Sequence, residues 1–176
     1  EEWKEMQLLA FEKEMLGFYL TGHPLKRYSD IIEKFTNADA DGINEMNDQE
    51  MVRLAGIVRD IKVIKTKRGE LMAFVTVEDM LGSFEATVFS SLYASVKDLL
   101  TDDVPILIEG QLQKDENSSK ILANKIIPIH LAEETWTVSL HFNLNIVNTD
   151  RELLTRLHDI FEKHPGACDA FLHLRN

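Results

Sequence analysis

The sequence predicts a mainly β protein with α-helical flanks: a five-stranded barrel in the middle, a helical segment before it and a partial α/β domain after it. Three observations carry this expectation. The apolar residues recur at spacings of three and four up to Phe35, then at spacings of two from Met51. Five Val- and Ile-rich runs follow as far as Ile129, with a single helical stretch after the third. Beyond Ala132 the pattern becomes strand, helix, strand. The expected boundaries are 1–50 for the helical segment and an acidic linker, 51–131 for the barrel and 132–176 for the partial domain.

Taken in order, Trp3, Met6, Leu9 and Leu16 line one side of a first helix that ends at Gly17 or at Thr21-Gly22-His23-Pro24, since glycine and proline stop helices. Tyr28, Ile31, Ile32 and Phe35 share a face of a second, short helix. Asn37 to Asn47 is polar and acidic and reads as a linker. Met51–Lys65 is a long strand whose alternation drifts after Gly56, which predicts a bulge near that glycine and a strand serving two neighbours. Lys67-Arg68-Gly69 turns the chain into a second strand with Leu71, Ala73, Val75 and Val77 inward. Glu78–Gly82 turns it again into a third, with Phe84, Ala86 and Val88 inward.

Ser90 or Ser91 is placed to cap a helix carrying Leu92, Val96, Leu99 and Leu100. Val104–Leu112 and Ile121–Ile129 are the fourth and fifth strands, joined by a polar connection from Lys114 to Lys120. Thr137–Val147 alternates, Thr149-Asp150-Arg151-Glu152 reads as a capping box, and Cys168–Leu174 begins another strand. Three strands, a helix and two strands within about eighty residues is the order of an OB-fold, in which a bent first strand pairs on both sides. A small open sheet covered by one helix is the alternative; the barrel is preferred.

Composition limits the function. The net charge of −11 argues against a protein that coats DNA generically. The charge is uneven: residues 1–50 hold 5 basic and 12 acidic side chains, whereas Arg53, Arg59, Lys62, Lys65, Lys67 and Arg68 stand against Asp60 alone in 53–68. That implies a restricted basic surface. The single cysteine, Cys168, excludes a disulfide framework and a cysteine-rich zinc site, and no apolar run approaches a membrane span, so a cytoplasmic protein without a membrane partner is expected.

Catalytic constellations are missing from the sequence. There is no Gly-rich phosphate loop and no Gly-x-Ser-x-Gly elbow. Glu78-Asp79 and Asp102-Asp103 fall where turns are expected and read as solvated turns rather than metal ligands. The six histidines have no zinc-type spacing with Cys168, although His141 and His173 fall on what would be neighbouring strands. No catalytic residue, metal or cofactor is therefore assigned. Gln7–Phe11 loosely resembles a clamp-binding peptide, but Leu8, Leu9 and Phe11 are more simply core.

Binding is the better supported class. In OB-folds the loops joining strands 1 and 2 and strands 4 and 5 flank the nucleic-acid groove. The first would hold Lys65, Lys67 and Arg68, with Lys62 just before it, and the second Lys114 and Lys120. Such rims attract phosphates with release of counterions. Phe74 and Phe89 lie out of phase with the inward rows and are the candidates for stacking on bases. Turn lysines are also commonly just solvated, and out-of-phase phenylalanines can cover a neighbouring domain.

Glu12–Leu25, with its Leu20-Thr21-Gly22-His23-Pro24 run, closely resembles the segment preceding the OB domain in the α subunits of bacterial DNA polymerase III. Leu54-Ala55-Gly56, Thr66-Lys67-Arg68-Gly69, Phe74–Asp79 and Phe84–Phe89 resemble that family's OB motifs in order. The resemblance covers about residues 10–130 and weakens after Ala132. It implies an OB domain that binds single-stranded template DNA non-specifically, with roles for Lys67 and Arg68, within a DNA-directed DNA polymerase (a nucleotidyltransferase) whose catalytic carboxylates lie outside this chain. It also implies that the following domain contacts the τ subunit of the clamp loader and other holoenzyme subunits. The alternatives are a protein-interaction module in which the basic loop meets an acidic partner and, ranked lower, a tRNA-binding OB-fold.

Overall fold

The computed structural model describes residues 11–12, 15–16, 22–101, 104–115, 118–145, 147, 149–166 and 168–175. Most of the predicted first helix lies outside them; residues 11, 12, 15 and 16 within it are helical. The first continuous element is a 3-10 turn, Pro24–Tyr28, with Pro24 in its first turn and the His23 side chain accepting a hydrogen bond from the Leu25 N–H at 3.2 Å. Proline suits that position because a helix start has no use for its missing N–H. Helix α1 (Ser29–Phe35) follows directly and buries Phe35.

Five strands, β1 (Met51–Lys65), β2 (Leu71–Glu78), β3 (Ser83–Val88), β4 (Pro105–Asp115) and β5 (Ser118–Pro128), close into a barrel of order β1-β2-β3-β5-β4, with helix α2 (Ser90–Val96) between β3 and β4. This is the OB-fold. Closure depends on β1. Its first half pairs with β4, from Met51 opposite Gln111 to Ile57 opposite Pro105, and its second half with β2, from Ile57 opposite Glu78 to Lys65 opposite Leu71. All pairings are antiparallel except β3 with β5.

The bulge lies between Val58 and Asp60, just beyond the glycine where it was expected. Gly56 instead permits a close approach of β2, since a Cβ there would come within 2.1 Å of Val77 Cγ1 and 3.0 Å of the Glu78 carbonyl oxygen. Gly110 likewise sits 2.4 Å, measured from such a Cβ, from the Leu122 carbonyl oxygen, at the β4–β5 irregularity. The inward rows are as the alternation predicts, except that Leu71 is exposed at the strand start. Val52, Leu54, Val75, Val77, Ile106, Ile108 and Leu112 are fully enclosed, each contributing about 1.5–3 kcal/mol.

Three local expectations are corrected. Residues 37–47 are packed on the barrel rather than forming a linker, because Ala40 and Ile43 join its core while Asn37 bonds the backbone of Met51 and Arg53. Neither serine caps α2: Phe89 is its N-cap, without a side-chain bond. The connection between β4 and β5 is shorter than composition suggests, since the strands run on to Asp115 and restart at Ser118, placing Lys114 opposite Ser119 and Lys120 opposite Gln113 within the strand pair.

Beyond the barrel come a 3-10 turn (Ile129–Leu131) and helix α3 (Ala132–Trp136). Residues 133–176 form a second compact unit. In it β6 (Ser139–Asn145) and β7 (Asp169–Arg175) pair in parallel, joined by helix α4 (Arg151–Lys163). Asp150, rather than Thr149, is the N-cap and accepts from the Leu153 N–H at 2.8 Å, while the Thr149 hydroxyl donates to the Asn145 carbonyl. Phe142 meets Phe161 edge-on, with ring centroids 5.6 Å apart.

Candidate nucleic-acid interface

The basic run of β1 divides into paired and unpaired halves. Arg53 donates to Glu109 on β4. Arg59 donates twice to Glu78, from Nε to Oε2 at 2.8 Å and from Nη2 to Oε1 at 2.6 Å. These bonds hold the Glu78 carboxyl below its ordinary value of 4.5, against the opposing effect of partial burial. His23 Nε2 lies 3.6 Å from the same carboxylate. Lys62, Lys65, Lys67 and Arg68 are exposed, and no side-chain hydrogen bond or ion pair joins them to the described residues.

The β1–β2 connection is a tight turn. The Thr66 N–H donates to the Glu70 carbonyl at 2.8 Å, and the Gly69 N–H to the Thr66 carbonyl at 2.9 Å. Gly69 adopts φ +87°, which a residue with a Cβ rarely tolerates. The turn therefore holds Lys67 and Arg68 at its tip, beside Lys65 at the end of β1. Three cations thus gather at one end of the barrel, with Lys62 on the outer face before them, and no acid among the described residues binds any of the four.

On the outer face Lys62 stands opposite Phe74 across β1 and β2, and Glu85 opposite Lys120 across β3 and β5. The Lys120 ammonium is 3.3 Å from Glu85 Oε1 and 5.9 Å from the Phe74 ring centroid. With Asp60 and Thr76 these side chains line a shallow hollow of about 280 Å³. Phe74 is half-buried within it, whereas Phe89, just past β3, is 48% exposed. Phe89 belongs to an open groove of about 740 Å³ between the β1–β2 turn and α2. Lys114 is placed differently: its ammonium donates to the carbonyls of Asn44 and Met46 at 2.8 and 2.5 Å.

Glu78-Asp79 is not a solvated turn. Glu78 is paired as described, and Asp79 is only 8% exposed, its carboxylate accepting from the N–H groups of Ala40, Leu81 and Gly82 at 2.6, 2.8 and 2.9 Å. The spacing of Asp79 three residues before Gly82 was a readable turn signal, but the long-range bond to Ala40 was not. Asp102-Asp103 lies outside the described residues. His141 and His173 do meet, Nδ1 to Nε2 at 2.8 Å. Among the described residues no three His, Cys, Asp or Glu side chains are grouped to hold a metal ion, and no helix is long and apolar enough to cross a membrane.

Comparison with known proteins agrees with this architecture. Residues 52–129 match the family described as OB-fold nucleic acid binding domain. The chain is 31% identical over 174 residues to the DNA polymerase III subunit alpha of Pseudomonas aeruginosa, covering 96% of this chain and 15% of that protein. It is 31% identical over 180 residues to the corresponding subunit of Borreliella burgdorferi, covering 99% of this chain and 16% of that protein. A small single-stranded DNA-binding protein from Streptomyces coelicolor overlays 47% of this chain and 95% of its own at a TM-score of 0.39 and 16% identity, too loosely to carry an argument. The chain spans about one-seventh of the length of the curated relatives it matches. Its likeness to them runs through barrel and flanks alike, and on that ground the chain matches a fragment of bacterial DNA polymerase III α subunits, with an OB-fold domain within it.

Proposed function

We propose that this chain handles template within a DNA polymerase III α subunit during bacterial DNA replication in the cytoplasm, its barrel holding single-stranded DNA without strong sequence preference. The supporting observation is the division of the basic run: Arg53 and Arg59 are tied to acids, while Lys65, Lys67 and Arg68 present their charge at the barrel end and Lys62 on the outer face before it. Phe89 and Phe74 supply aromatic surface next to that charge, whereas Lys120 is ion-paired with Glu85 like the two arginines with their acids. Chemistry is assigned to other parts of the polymerase; here the work is retention and positioning of a strand.

Fluorescence anisotropy of labelled oligo-dT at two salt concentrations tests this. Affinity should fall with salt. The combined Lys65→Ser, Lys67→Ser, Arg68→Ser variant should weaken binding and flatten the slope of log K against log salt by about 2, at roughly 0.7 for each single-strand phosphate no longer neutralised. Binding indifferent to salt and to the triple change would overturn the reading.

A second reading concerns the terminal unit. Leu140, Leu154, Ile160, Phe171, Leu172 and Leu174 are exposed there, more apolar surface than so small a unit needs. It supports contact with another holoenzyme subunit, the clamp-loader τ subunit first, and titration of the chain with that subunit tests it.

A further inference from the structure

We propose that the groove between the β1–β2 turn and α2 is a nucleobase seat, in which Phe89 stacks on one base of a bound strand and Glu70 accepts a hydrogen bond from the exocyclic amine of cytosine or adenine. This rests on the strand-binding reading above and adds a base-reading element to it.

The groove, at about 740 Å³, has room for a base, and Leu71, Met72 and Ala94 line it with apolar surface beside the half-exposed Phe89 ring. Ser90, Ser91, Tyr93 and Lys97 complete the lining, so an aromatic and apolar surface for stacking lies beside polar groups that can orient a base. Two polar groups there lack partners among the described residues. The Thr66 hydroxyl oxygen, beneath the groove lining, is buried with no hydrogen bond, a state that costs free energy. The Glu70 carboxylate is exposed and bound by no described residue.

Glu70 decides which part of the strand enters. A carboxylate repels phosphate and can only accept hydrogen bonds; Lys97 also lines the groove, but three cations, Lys65, Lys67 and Arg68, stand at the turn, so the sugar–phosphate backbone belongs along those three and the base against Phe89 and Glu70. On an unpaired base cytosine N4 and adenine N6 offer exocyclic donors to it, whereas thymine offers only N3–H, set between the acceptors O2 and O4 that the carboxylate repels. Phosphate contacts set the salt dependence of binding and stacking does not. The two contributions are therefore separable by experiment.

Oligo-dC and oligo-dT would be titrated at two salt concentrations against the unaltered chain and the variants Phe89→Ala, Phe89→Trp and Glu70→Gln, with thermal melting of each. Phe89→Ala should lose affinity about five- to a hundredfold by the same factor at both salts, with an unchanged melting temperature. Phe89→Trp should keep binding. The unaltered chain should prefer oligo-dC by roughly fivefold, and Glu70→Gln, whose amide both donates and accepts, should erase the preference. Unaltered affinity in Phe89→Ala, or equal affinity for the two strands, overturns the seat. If the Lys65, Lys67 and Arg68 variant still weakens binding in that case, the strand-binding reading survives; if neither strand binds at low salt, both fall.

Discussion

Arg59 grips Glu78 through two hydrogen bonds at the point where β1 passes from one neighbour to the other, next to the bulge between Val58 and Asp60. His23, from the segment before the barrel, reaches the same carboxylate. Three stretches of chain thus converge on one acid, and one of the six cations of the basic run is withdrawn from ligand binding. The pair explains both why the bent strand is held at its bend and why the exposed charge is displaced toward the β1–β2 turn.

This pair makes stability depend on acid. Glu78 has a lowered carboxyl pKa in the folded chain, chiefly through Arg59, so its stabilising effect is fully present above the unfolded value of 4.5 and is lost as pH falls through the lower folded value. Glu78→Gln should cost on the order of 1 kcal/mol at neutral pH, the partial exposure of the pair limiting it. Thermal melting across pH checks this: the gap to the unaltered chain should shrink well below pH 4.5, and a gap constant with pH would refute the linkage.

Gly56 and Gly110 should tolerate no side chain. At Gly110 the obstructing atom is the Leu122 backbone oxygen, 2.4 Å from a Cβ, and at Gly56 the nearest is a Val77 methyl group. Gly110→Ala must move a strand, whereas Gly56→Ala can be relieved partly by a rotamer change, so overpacking should cost about 1–3 kcal/mol with Gly110→Ala the worse. Gly22, with nothing within 4 Å of its Cβ position, is the control and should be near neutral. Urea unfolding ranks the three.

The barrel was legible because inward rows such as Phe84-Ala86-Val88 alternate with polar residues, and Ala73-Val75-Val77 with Phe74 and Thr76, each row bounded by a turn. What escaped was long-range pairing. Composition displays the charges of Arg53 and Arg59 but not that they pair with Glu109 and Glu78, and it shows the polar run 37–47 but not that Ala40 and Ile43 find a core. Lys62, Lys65, Lys67 and Arg68 could be named in advance since they cluster in sequence. The groove beside Phe89 could not, because Glu70, Phe89 and Lys97 come together only once the barrel closes.

Asp79 should behave as a structural anchor. Its carboxylate closes the β2–β3 turn through Leu81 and Gly82 and fastens the preceding segment through Ala40. Asp79→Ala leaves these N–H groups without that acceptor and should cost about 2–4 kcal/mol. Hydrogen exchange at the Ala40 amide should quicken in Asp79→Ala before global unfolding does, and unchanged protection would show that the bond carries no weight.

Lys114 and Lys67 lie on neighbouring rims by fold, yet they should respond oppositely to mutation. The Lys114 ammonium is occupied by the carbonyls of Asn44 and Met46, and its own N–H is bonded to Asp48. Replacing it with alanine leaves two carbonyl oxygens short of a donor and should lower stability by about 1–2 kcal/mol, with little change in strand affinity or its salt dependence. Lys67 is exposed at the turn tip, so Lys67→Ala should leave the melting temperature unchanged and lower the salt slope by about 0.7, the contribution of one phosphate on a single strand. Melting and salt-titrated anisotropy on both variants separate the two roles. A salt-slope change in Lys114→Ala would mean that its ammonium exchanges the two carbonyls for phosphate when a strand arrives.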